Sequence, residues 1–435
     1  MKPVLLLLAS LALASNAQAL GLLDAYQLAR RNDPAWQAAG AAREAGLEQR
    51  AIGRAALLPT LSWGYSHSRN QSQVSQGSQR QDRDYRSHAA TLSLQQPLLD
   101  FDALARWRQG DAQAHQAQAQ WQGQQQALRV RVVRLYSNAL LAARRTQLSR
   151  ERKHALGERL ALNRSLFEDG VATRTDVLET EARLNLAVAE ELEALDAQDS
   201  AARELQALLG QAPTQLQPLA EHIQLPALQP ATFEAWQQLA SSRNPELLAR
   251  RRGLDVAEQE VQRQRAGHLP KLSLFASNRQ SQSDSESSYQ QAFDTNTVGL
   301  QLNVPLFASG GVSAATRQAA SRLAQAQHEL DGQALATFNN LRRHYNATRS
   351  GAARVHAYRL AAASAEAQLH ATRRSQQGGE RINLDVLDAE QQLYRARLEL
   401  HEAQHGWLLA SVELKAAAGV LDENDMRQVA SHFRE

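Results

Sequence analysis

Strict alternation of apolar and polar residues marks four short stretches of this chain. Leu61, Trp63 and Tyr65 are separated by Ser62, Gly64 and Ser66, and Leu92 and Leu94 are flanked by Thr91, Ser93 and Gln95. Leu272, Leu274 and Ala276 alternate with Ser273, Phe275 and Ser277, with Phe275 the one misfit. Val298, Leu300, Leu302 and Val304 alternate with Gly299, Gln301 and Asn303. Period two predicts strands with one apolar and one polar face, over about 60–68, 89–96, 271–278 and 297–304. The stretches 67–88 and 278–296, rich in Ser, Gln, Asn and Asp, are expected as exposed loops.

Elsewhere the apolar residues recur every seven positions, at Leu141, Leu148, Ala155 and Leu162 and at Val386, Leu393, Leu400, Trp407 and Leu414. A sustained heptad predicts supercoiled helices packed side by side. Long helices are expected over about 101–166 and 312–376, with return helices over about 174–209 and 384–418. The first would be about 100 Å long, about three times the hydrocarbon core of a bilayer.

Proline agrees with this division. There are 11, none between Pro97 and Pro213 and none after Pro305, and proline costs about 3 kcal/mol inside a helix. The prolines also expose a duplication. Asn32-Asp33-Pro34 recurs as Asn244-Pro245, Leu58-Pro59-Thr60-Leu61-Ser62 as Leu269-Pro270-Lys271-Leu272-Ser273, and Gln96-Pro97-Leu98 as Val304-Pro305-Leu306. Gly170 with Thr175-Asp176-Val177-Leu178-Glu179 recurs as Gly379 with Leu384-Asp385-Val386-Leu387-Asp388, and Leu209-Gly210 as Ala418-Gly419. The mature chain thus reads as two copies of one unit, 20–211 and 232–435, joined by a linker at 212–231 that holds Pro213, Pro218, Pro226 and Pro230.

Residues 1–19 read as a secretory signal peptide: Lys2, the apolar run Val4–Ala14, then the small-residue site Ala17-Gln18-Ala19. No later apolar run is long enough for a membrane-spanning helix, which leaves a soluble periplasmic, secreted or β-barrel outer-membrane protein. The length of 435 residues would otherwise suggest about three domains. There is no cysteine, hence no disulfide framework, no Cys-based zinc site, no thiolate nucleophile and no lipoprotein anchor. The net charge of +3 points to no particular partner. The clusters Arg250-Arg251-Arg252 and Arg129, Arg131 and Arg134 are interleaved with acids and read as solvated helix faces rather than nucleic-acid contacts.

One motif suggests metal chemistry. His401-Glu402-Ala403-Gln404-His405 fits H-E-x-x-H, with Glu423 as a possible third ligand. The first copy carries Leu192, Glu193 and Asp196 at the matching places, and the heptad puts His401 and His405 on the outer face. No zinc site, cofactor or enzymatic activity is expected.

Four strands from one chain cannot close a membrane barrel, whose smallest forms have about eight, and open edges are not tolerated in lipid. The barrel must be shared, and a conduit favours three chains and twelve strands over a filled eight-stranded barrel. Asp385 and Asp388, at i and i+3, share one helix face beside the Gly379 turn. In a trimer they would form two stacked rings of carboxylates, which select for cations in a pore; alternatively they are acids favoured by a helix N-terminus.

The signal segment, duplicated Asn-Pro and Leu-Pro entries, paired strands and long helices closing at Gly turns resemble the TolC family of trimeric outer-membrane export channels. The most specific segments are Gly-His-Leu-Pro-Lys-Leu-Ser-Leu at 267–274, Val-Pro-Leu-Phe-Ala-Ser-Gly-Gly at 304–311 and Asp-Val-Leu-Asp-Ala at 385–389. The resemblance implies a mainly helical homotrimer with a small β part. A shared 12-stranded barrel in outer-membrane lipid would continue into a coiled-coil periplasmic barrel. It implies a channel docked to a periplasmic adaptor and an inner-membrane ABC transporter, with Asp385 and Asp388 lining the periplasmic constriction. It assigns Asp176 and Arg381 to a latch at the tip, where Gln376 replaces a family tyrosine. The turns at Gly170-Val171 and Gly378-Gly379 would meet the adaptor. Without the N-terminal cysteine of many drug-efflux channels, the chain is similar to the type I secretion branch, whose cargo is unfolded protein such as a protease or toxin; the alternative is the channel of a multidrug pump.

Overall fold

A computed structural model describes residues 19–213, 215–220, 223–285 and 291–433. All of the expected signal peptide but Ala19 lies outside these residues. The chain forms two compact units.

One unit, residues 40–121 and 245–335, holds the strands. β1 (Thr60–Gln76), β2 (Gln79–Leu99), β3 (Lys271–Ser283) and β4 (Gln291–Asn303) form one antiparallel sheet in that order. Both copies therefore contribute a hairpin, and β2 of the first pairs with β3 of the second. Register turns the alternation into faces. Leu61, Leu94, Ala276 and Val298 lie in one row across the sheet, and Ser62, Ser93, Ser277 and Thr297 in the next. A slip of one residue would mix them. Trp63 and Val298 leave 68% and 75% of their surface uncovered, so the apolar face is unpacked in a single chain.

The misfit Phe275 lies opposite Gly299, on the polar face. A side chain added at Gly299 would stand 2.8 Å from the ring, so the phenyl group covers the strand where glycine leaves space. The described residues of the expected loops are mostly strand, residues 286–290 lying outside them: β1 and β2 run on to a turn at Gly77-Ser78. Polar side chains do not prevent a ladder when they pair across it. The Ser68 and Ser87 hydroxyls are 2.8 Å apart, and Arg69 Nε donates to Asp84 at 2.9 Å.

The other unit comprises residues up to 39, 122–244 and 336–435. It holds α1 (Leu22–Asn32), α4 (Arg174–Leu209), α5 (Phe233–Arg243), α8 (Asn383–Ala417) and α9 (Glu423–Ala430). With these lie the later parts of α3 (Phe101–Glu168) and α7 (Gly311–Gln377). α2 (Pro34–Ala55) and α6 (Pro245–Arg265) start at the repeated prolines, each in the first turn, where the missing N–H costs nothing. Just before them, Asn32 Nδ2 donates to Leu209 O at 2.6 Å and Asn244 Nδ2 to Ala417 O at 2.8 Å. The duplicated Asn-Pro entry thus fastens the end of each copy's return helix, satisfying a carbonyl the helix leaves open.

The core here includes Leu22, Leu128, Tyr136, Leu205, Trp407 and Phe433. The buried Tyr136 hydroxyl donates to Leu20 O and Gln217 O at 2.7 and 3.1 Å, and burial pushes its pKa up. Arg129, Arg131 and Arg134 do not merely face solvent. Arg129 donates to Leu421 O at 2.8 Å, Arg131 pairs with buried Asp33, and Arg134 pairs with Glu413 at 2.7 Å. Interleaved charge reads as solvated until folding brings distant acids beside it.

Val386, Leu393, Trp407 and Leu414 are buried as the heptad requires. The first copy departs from it. Leu148 is buried as expected, but Leu162 is 51% exposed, and past Leu148 the buried seam runs one residue later, through Ser149, Leu156 and Asn163. Two of these three are polar, so a search for apolar heptads misses the seam.

Candidate functional site

The turns α3–α4 and α7–α8 are built alike. α3 ends with Gly170 at φ +73° and Val171 N donating to Leu166 O at 2.8 Å; α7 ends with Gly379 at φ +80° and Glu380 N donating to Ser375 O at 2.9 Å. Both are left-handed glycine closures that satisfy the last carbonyls of a helix. Gly378 precedes the second closure and donates to Arg374 O at 3.1 Å. Val171 and Ile382 project with 74% and 63% of their surface exposed.

The expected site residues divide between capping and pairing. Asp176 forms a full capping box: Thr173 N donates to Asp176 Oδ2 at 2.9 Å, and Asp176 N to Thr173 Oγ1 at 3.2 Å. Asp385 forms half of one, accepting Ile382 N at 3.3 Å, because isoleucine has no side-chain acceptor. Arg381 Nη1 stands 3.7 Å from Asp385 Oδ2. Gln376 is not joined to Asp176 within the protomer; its amide oxygen accepts from Arg159 Nη1 at 2.9 Å. Arg159 and Arg373 also flank Glu390, at 3.5 and 2.8 Å.

Asp388 accepts from Arg183 Nη2 at 2.7 Å, and the same nitrogen lies 3.4 Å from Glu179. This bridge joins α4 of the first copy to α8 of the second. Arg183 was not singled out by the sequence, although the repeat that aligns Glu179 with Asp388 marks the position to search. Also missed was a buried polar knot. Asn163 Nδ2 and Asn383 Nδ2 donate to Thr180 Oγ1 at 2.8 and 3.2 Å, while Thr180 donates to Asp176 O at 2.7 Å. It ties α3, α4 and α8 just inside the turns. Beside it a groove of about 200 Å³ opens between the two helix hairpins, lined by Arg152, Arg183, Arg373, Arg397, Leu156 and Tyr394 among others.

The H-E-x-x-H segment is not arranged as a metal centre. Among the described residues no group of three or more His, Asp or Glu is placed to hold a metal. His401 Nε2 accepts from Arg144 at 3.1 Å. His405 is buried rather than on the outer face, and burial, with His401 near, pushes its pKa down to about 4. The seam has drifted far enough by this turn to take it inside.

The model of the family described as outer membrane efflux protein matches residues 25–211 and 236–420, one match per copy. The alkaline protease secretion protein AprF of Pseudomonas aeruginosa is 47% identical over 430 residues, covering 97% of this chain and 89% of that protein. The proteases secretion protein PrtF of Dickeya chrysanthemi is 43% identical, covering 100% and 95%. Among solved structures, the Campylobacter jejuni CmeC outer membrane channel matches with a TM-score of 0.81 at 15% identity, covering 95% of this chain and 89% of that one.

Proposed function

The chain belongs to the outer membrane efflux protein family, and from that premise we propose that it is the outer-membrane conduit of a type I secretion system exporting an unfolded protein such as a protease. That it is an outer-membrane channel of TolC type follows from the family and the fold. The cargo reading rests on one observation: near-full-length identity to two relatives named for protease secretion.

The assembly is a homotrimer. β1 and β4 end the sheet with one partner strand each, and three chains joined edge to edge give twelve strands without an open edge. The uncovered apolar row through Leu61 and Val298 then meets outer-membrane lipid, and the serine row faces the lumen. The glycine turns at Gly170-Val171 and Gly378-Gly379 meet a periplasmic adaptor, which links the channel to an inner-membrane ABC transporter. Asp385 and Asp388 line the periplasmic constriction, with Asp176, Arg381 and Gln376 as latch residues.

A second reading, the channel of a multidrug pump, is favoured by the family description. Deleting the protein from its native host separates the two. Retention of a protease inside the cells, with drug susceptibility unchanged, supports secretion. Normal protease export with heightened drug sensitivity supports efflux.

A further inference from the structure

We propose that Arg183 sets the ion selectivity of the constriction by neutralising Asp388, an inference that rests on the assignment of Asp388 to the pore. Glu179 and Asp388 are the same position in the two copies, and the Arg183 guanidinium lies against both, at 3.4 and 2.7 Å. Where the first copy has Arg183, the second has Gln392. The duplicated acids of one protomer therefore share a single cation, and it comes from the first copy.

The geometry gives that cation to the second copy. The bond to Asp388 is the shorter, and Asp388 is the more exposed acid, with 64% of its side chain uncovered against 29% for Glu179. An ion passing the tip meets the pair, not a bare carboxylate. Three protomers would place three such pairs around the axis. The bridge also ties α4 to α8 beside the Asn383–Thr180 hydrogen bond, so one side chain serves the charge balance of the pore and part of the contact between hairpins.

A unit charge about 10 Å from an ion in water changes its partition roughly twofold. Three carboxylates freed together therefore raise the partition of a cation roughly two- to eightfold and lower that of an anion by the same factor, so the cation-to-anion ratio changes roughly four- to sixtyfold, depending on screening by salt.

The test uses the full mature protein in planar bilayers, reading the reversal potential in a potassium chloride gradient. Arg183→Gln should raise the cation-to-anion permeability ratio about four- to sixtyfold, Arg183→Lys should leave it near wild type, and Asp388→Asn should lower it. A lowered ratio in Asp388→Asn with no rise in Arg183→Gln overturns the role of Arg183 and leaves the constriction assignment standing. No change in Asp388→Asn or Asp385→Asn overturns the constriction assignment itself. Should Arg183→Gln not assemble, the exchanged pair Arg183→Asp with Asp388→Arg reads the same relationship: a near-wild-type ratio supports the bridge, and anion selectivity overturns it.

Discussion

Asp176 and Asp385 hold the same place in the two copies and do the same work, each accepting the backbone N–H of the residue three before it. The relationship is unequal. Thr173 returns the bond to Asp176 N, whereas Ile382 offers Asp385 nothing in return.

Asp176→Ala should loosen its helix start by about 1 kcal/mol and Asp385→Ala by less, because the Asp176 carboxylate accepts both Thr173 N and the Thr173 hydroxyl, at 2.9 and 2.6 Å, whereas Asp385 accepts only Ile382 N, at 3.3 Å. Amide exchange over 174–180 and 383–389 measures both. Equal acceleration in the two segments would show that the additional bond from the Thr173 hydroxyl to Asp176 contributes nothing. Asp385→Asn, which keeps an acceptor oxygen, separates the cap from any role of charge in the pore.

Thr180→Val should cost about 1–3 kcal/mol, since it leaves the Asn163 and Asn383 amides without their shared acceptor in a buried site. Asn383 Oδ1 is already buried without a hydrogen-bond partner, so the knot has little capacity to rearrange. The readout is the denaturation midpoint of the periplasmic helices, with Thr180→Ser as the near-neutral control.

His405 makes stability fall in acid. Its folded pKa of about 4 lies below the ordinary value of 6.5. The imidazole is neutral in the fold, so its contribution is fully present above pH 6.5 and is lost as pH falls towards 4. The loss approaches about 3 kcal/mol. His405→Leu should flatten the stability curve across this window; an unchanged curve would assign the acid response to other groups.

The trimer can be tested on a background that contains no cysteine. Ser62→Cys on β1 and Thr297→Cys on β4 stand at opposite edges of the sheet, three strand spacings or about 14 Å apart within one chain. A short thiol cross-linker should join them between chains and yield species up to three protomers. A ladder that ends at two would remove the twelve-stranded barrel.

The sequence by itself determined the periodicities. Period-two stretches, proline-free heptads and the paired prolines specify strands, helices and duplication, because these depend on local backbone preference and on which face is apolar. It also placed the glycine turns, where a left-handed residue ends each long helix. What it left open depended on partners far apart in the chain. The polar stretch before Gly77 became strand because Arg69 and Ser68 found Asp84 and Ser87. Ser149 and Asn163 entered a buried seam because Tyr394 and Thr180 satisfy them. Asp388, legible as an acid at a helix start, acquired its counter-charge from Arg183 in the other copy. Hydrophobic pattern is a property of one segment; the cost of burying a polar group, and the charge a pore presents, are set only when the tertiary structure supplies the partner.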